Sequence, residues 1–93
     1  MPISRAVVLT ESGDQLINRL CKHWAHKLEV EQSEAQGRIQ FENGSCLLQA
    51  EEDKLHVAVE ALDEEGLDQL EGVVANHLER MAGKESLDII WEN

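Results

Sequence analysis

Basic residues are scarce in this chain. Its 93 residues include eight Lys and Arg against nineteen Asp and Glu, a formal net charge of −11. Neutralising a run of phosphates needs a basic surface, so nucleic acid is not an expected partner. Long apolar runs are missing as well. No stretch approaches the ~18 residues needed to span a bilayer, so no membrane partner is expected. The opening MPISRAVVLTESGD has a short apolar run before Thr10 and Glu11. It is too short for a secretory signal, and a cytoplasmic bacterial-type protein is the expectation. Cysteine is sparse: Cys21 and Cys46 form no CxxC and both fall on apolar faces, so they read as reduced core thiols. Catalytic signatures are absent too. There is no GxSxG, P-loop or GxGxxG, and no Ser/His/Asp or Cys/His arrangement has motif context.

What is present points to one folded domain over residues 1–93, with 42% hydrophobic residues in regular patterns. Charge is polarised along it. Residues 1–27 hold four Lys or Arg and two acids, for +2, and residues 28–93 hold four and seventeen, for −13. Gln15 to Lys27 contains Arg19, Lys22, His23, His26 and Lys27 and no acid. Such a molecule can hold an anion at one place and repel it elsewhere.

The patterning gives the order βαββββαβ. Ala6–Leu9 reads as a strand. Ser12 with Gln15 three residues on is a capping-box spacing. In the helix that follows, Leu16, Ile17, Leu20, Cys21, Trp24 and Leu28 form one stripe. Leu28 to Gln32 alternates and reads as a strand. Asn43-Gly44 is a hairpin signal, and a two-residue loop there pairs Phe41 with Cys46 and Ile39 with Leu48. A second turn at Glu52-Asp53 pairs Ala50 with Leu55, Leu48 with Val57 and Cys46 with Val59. One face then carries Ile39, Phe41, Cys46, Leu48, Ala50, Leu55, Val57, Val59 and Ala61. The other is mostly polar around Leu47 and Ala58. A second helix spans Glu64 to Ala82, capped by Asp63, with Leu62 and Leu67 at staple spacing and Arg80 and Lys84 near its negative end. Leu87 to Trp91 reads as a last strand. Both helices cover one sheet face, giving an α+β two-layer sandwich with a mostly antiparallel sheet.

Two chemistries fit the histidines. Arg19, His23, His26 and Lys27, with His77 and Arg80 from the second helix, can hold a carboxylate or phosphate. The partner is then a small anionic ligand or an acidic protein surface. Alternatively His23, His26 and His77 converge on zinc or iron in a small metal-dependent enzyme. Antiparallel, mutually centred helices oppose this, placing His23 and His77 ~10 Å apart along the axis. The bland alternatives are solvated helix histidines, a core His77, and cations balanced by Glu29, Glu31, Glu60 or Glu79. Trp24 reads as core rather than as a stacking platform. A third reading is a homodimer through the sheet face around Leu47 and Ala58.

His23-Trp24-Ala25-His26-Lys27, Gly37-Arg38-Ile39-Gln40-Phe41, Leu70 through Arg80 and the closing Trp91 together resemble a small bacterial family, domain of unknown function 2218. Met81 departs from the aromatic common after the HLER segment. The resemblance implies an α+β fold of about ninety residues and no settled activity. It also implies a setting in iron–siderophore handling, since relatives are fused to or encoded near siderophore-interacting flavin proteins. It singles out His23, Trp24, His26, Lys27, His77, Glu79 and Arg80. The resulting expectation is a non-enzymatic binding or accessory module.

Overall fold

The computed structural model describes residues 2–83 and 85–92. Lys84, expected beside the negative end of the second helix, lies outside them. The described elements run β1 Ile3–Leu9, α1 Gly13–Trp24, β2 Glu29–Ser33, β3 Gln36–Phe41, β4 Gly44–Ala50, β5 Lys54–Ala61 and α2 Glu64–Met81. The five strands form one antiparallel sheet in the order β1-β5-β4-β3-β2. Strict alternation decides which side each residue takes. In β5, Leu55, Val57, Val59 and Ala61 are buried, while His56, Ala58 and Glu60 are half-exposed on the other face. The buried side chains meet Leu16, Ile17, Leu20, Cys21 and Trp24 of α1 and Leu67, Leu70, Val74 and Leu78 of α2. Both helices therefore cover one face, and the opposite face stays open: an α+β two-layer sandwich.

The β4–β5 register is the expected one, with Cys46 opposite Val59, Leu48 opposite Val57 and Ala50 opposite Leu55. The β3–β4 register is not. Ile39 faces Cys46 and Phe41 faces Gly44, so Glu42-Asn43 forms the loop and the pairing slips by two residues. A slip of two keeps every side chain on its face, which is why the hydrophobic pattern could not detect it. Gly44 is a strand residue held close to β5: a Cβ there would lie 2.1 Å from the Glu60 carbonyl oxygen and 2.7 Å from Leu70 Cδ1.

Further corrections concern element ends. Ser12 makes no side-chain cap. Instead Thr10 Oγ1 accepts the Ser12 N–H at 3.0 Å, and the same hydroxyl donates to the Glu85 carboxylate, 2.9 and 3.0 Å from its two oxygens. Buried Thr10 thus ties the entry of α1 to the segment after α2. Helix α1 stops at Trp24, though the Leu28 N–H still donates to the Trp24 carbonyl at 2.8 Å and Leu28 packs on the core. Asp63 caps α2 as expected, accepting the Gly66 N–H at 2.7 Å. Leu62 is 66% exposed, so the staple spacing does not become a packed contact. The expected last strand reduces to one bridge, in which Arg5 and Glu92 exchange backbone hydrogen bonds of 2.9 and 2.8 Å. Leu87, Ile89 and Trp91 of that segment still pack on the core.

Candidate functional site

The rings of Trp24, Phe41, His23 and His77 gather where the C-terminal turn of α1 meets the last turns of α2. Trp24 ends the apolar stripe of α1 and is 7% exposed. Its indole meets the Phe41 ring edge-on at 5.0 Å, anchoring it to the sheet. On its other side it meets His77 at 4.6 Å and His23 at 5.5 Å. The two imidazoles lie 4.9 Å apart, tilted by 52°. Trp24 is thus core, as its position in the stripe implies, and also the wall against which both histidines rest.

The meeting of His23 and His77 corrects the expected ~10 Å offset. The antiparallel direction holds: His23 touches His77, and Arg19, one turn earlier, reaches Met81, one turn later. The centring does not hold. These contacts set the middle of the shorter α1 against the C-terminal end of α2, an offset of about nine residues or ~13 Å. Fixing it requires both helix lengths and their docking on the sheet, neither of which the histidine spacing encodes.

Local bonding shows which atoms are left to bind. His77 Nδ1 lies 2.7 Å from the Val73 carbonyl oxygen, one turn back. A carbonyl only accepts, so Nδ1 carries the proton and Nε2 is the nitrogen available to a ligand. His23 is exposed, and its ring nitrogens have no hydrogen-bond partner among the described residues. Arg19 is partly engaged: an Nη1 N–H donates to the Met81 carbonyl, one of the orphan acceptors at the end of α2. Lys22 is exposed on the last turn of α1, and His26 and Lys27 are exposed on the turn that follows. Arg80 is exposed on the last turn of α2, three residues beyond His77. These cations sit at helix C-terminal ends, where they complement the dipoles.

Among the described residues the one ion pair joins His56 to Glu51 on the open sheet face. Arg19, Lys22, Lys27 and Arg80 enter none there, and neither do Arg5, Arg38 and Lys54. His26 takes no part in the ring cluster. Among the described residues no group of three or more His, Cys, Asp or Glu side chains gathers where it could hold a metal ion. Phe41, read from sequence only as a core residue, proves to anchor the wall of this corner. The two thiols stay inside. Burial pushes Cys46 up to about 12, with the nearby Cys21 adding to the effect, and burial raises Cys21 as well.

The arrangement is that of a small α+β domain with a ring-walled, cationic corner. Residues 5–92 match the family described as an uncharacterized protein conserved in bacteria, domain of unknown function 2218. The chain belongs to that family. It is similar to PA4090 from Pseudomonas aeruginosa, known from an NMR structure, at 44% identity with a TM-score of 0.85, over 99% of this chain and 96% of that one. No curated protein matches it. Among the described residues no helix is long and apolar enough to cross a membrane.

Proposed function

We propose that this domain is a non-enzymatic binding module that receives an anionic group at the corner formed by His23, His77, Lys22, Lys27 and Arg80. The observation that carries the reading is the contact of His23 with His77 beside exposed Lys22, Lys27 and Arg80, none of them ion-paired among the described residues, in a chain of net charge −11 with seventeen acids in residues 28–93. Unpaired cations in a field of surplus acid lower the potential barrier for one anion at one place. Protonated His23 and a protonated Nε2 of His77 would add N–H donors to the lysine ammonium groups. Arg19 acts from behind, holding the end of α2 in place. Clefts lie on the open sheet face and near Asn43. An exposed site of this kind suits a carboxylate or phosphate carried by a larger ligand or by the acidic surface of a partner protein. The iron–siderophore setting implied by the family resemblance belongs to this proposal, as a source of carboxylate-bearing ligands.

The test is an NMR titration of the full chain with phosphate, citrate and an acidic peptide. Amide shifts confined to 19–27 and 77–82 are expected, and lost in a Lys27→Glu/His23→Ala variant that keeps its native spectrum. Loss of the fold in that variant makes the residues structural. Failure of all three probes to shift the wild type ends the reading. Zinc in a parallel titration tests the metal alternative, which requires His23, His26 and His77 to respond together.

A further inference from the structure

The open face of the sheet differs from the rest of the molecule. Its outward strand positions carry Arg5, Arg38 and Lys54 against Glu29, Glu31 and Glu60, with Glu51 beside them against His56, so the face carries a formal −1 while the chain carries −11. It also exposes apolar surface: Val7 is 52% and Leu47 45% exposed. A cleft of about 450 Å³ runs over Val7, Leu47, His56 and Ala58. Most of the chain's surplus acid lies off this face.

The ladder registers align one row straight across the sheet: Arg5 on β1, Ala58 on β5, Leu47 on the central β4, Arg38 on β3 and Glu31 on β2. Arg5, Arg38 and Glu31 enter no ion pair among the described residues, although Arg38 and Glu31 are direct cross-strand neighbours. Two copies stacked face to face can be related by a two-fold axis along β4 or across it. An axis across the strands sets Arg5 on Arg5, Arg38 on Arg38 and Glu31 on Glu31. An axis along β4 reverses the strand order, setting Arg5 on Glu31 of the second copy, twice, with Leu47 on Leu47 at the centre. In the flanking rows that axis sets Glu60 on Gln40, Ser45 on Ser45 and Ile3 on Glu29, with no like charges; Glu51, next along β4 and paired with His56, is the one acid set on its own copy. Rotation about a strand also preserves the sheets' twist, as aligned sandwiches require.

We propose that the open sheet face is a self-complementary surface for a second copy of this chain, packed about a two-fold axis along β4. Five strands ~4.8 Å apart and about seven residues long give roughly 500 Å² per copy, the low end for specific association, so the dimer is weak and forms at high concentration. Sedimentation velocity of the full chain from about 10 µM to about 1 mM reads it. Concentration-dependent dimer is expected. Arg5→Glu and Glu31→Arg each place like charges at both symmetric contacts and weaken it about tenfold. The double variant Arg5→Glu/Glu31→Arg restores it, while Leu47→Glu removes it with an unchanged circular dichroism spectrum. A wild type that stays monomeric throughout overturns the proposal. So does a double variant as weak as the single ones.

Discussion

Replacing Gly44 by Ala separates two roles for this glycine. If Gly44 served the hairpin turn, as Asn43-Gly44 suggests from sequence, the conformational cost of Ala would govern. In the structure Gly44 opens β4, and a Cβ would sit 2.1 Å from the Glu60 carbonyl oxygen, 2.7 Å from Leu70 Cδ1 and 2.9 Å from Ala61 Cα. The leucine tip can rotate; the two backbone atoms cannot. Relief requires β4 and β5 to part by roughly 1 Å at the Gly44–Ala61 pair, which weakens about two flanking backbone hydrogen bonds at ~1 kcal/mol each and disturbs packing on Leu70. We expect a loss of about 2–4 kcal/mol, a large share of the ~5–14 kcal/mol available to a domain of this size. Urea unfolding followed by the fluorescence of Trp24 and Trp91 measures it, with the thermal midpoint falling by roughly 15 °C. Gly72 supplies the control. It lies in α2 with nothing within 4 Å of its Cβ position. Gly72→Ala should therefore stabilise by about 0.5–1 kcal/mol, through helix propensity and a less mobile unfolded chain. A Gly44→Ala variant within ~0.5 kcal/mol of wild type would refute the close approach of β4 to β5.

Two further outcomes follow from the same structure. Asp63→Ala removes the acceptor of the Gly66 N–H and should cost about 1 kcal/mol in urea unfolding, with Asp63→Asn recovering most of it. The thiols set an alkaline limit. Cys46 is pushed up to about 12 in the fold against an ordinary 9.0, so the folded chain keeps a proton that the unfolded chain releases. Its stabilising contribution is therefore complete below about pH 8.5 and is lost as pH rises from there toward 12, by up to ~1.4 kcal/mol per pH unit. A urea midpoint that falls above pH 9 in the wild type and less steeply in Cys46→Ala is the expected result. Parallel curves would show that the thiol has no part in it.

Periodicity carried the fold far, and its limits are physical. The faces of β3, β4 and β5 were legible because alternation fixes parity. The β4–β5 register was legible because its turn sits where sequence placed it. The β3–β4 slip was not, since Phe41 and Ile39 stay on the inner face in either pairing. Ser12 had the spacing of a cap, yet its side chain caps nothing, and its N–H is held by Thr10, whose hydroxyl reaches Glu85, 75 residues away, which no local pattern records. The closing segment has the apolar alternation of a strand, but meets β1 through one bridge at Arg5 and Glu92. At the candidate site, the cationic stretch from Arg19 to Lys27 was visible as composition. The pairing of His23 with His77 depends on the helix offset, a tertiary quantity. Likewise Arg19 was read among the binding cations, and its bond to Met81 emerges only once α2 is docked.

The central claim is that His23 and His77 face an anion together. A histidine side-chain ¹H–¹⁵N spectrum recorded through a phosphate titration addresses it directly. His56, paired with Glu51 on the opposite face, is the internal control. The account expects the Nε2 signals of His23 and His77 to move together, saturably, while those of His56 stay fixed. Stationary His23 and His77 signals, or all four histidines drifting alike with ionic strength, would contradict it.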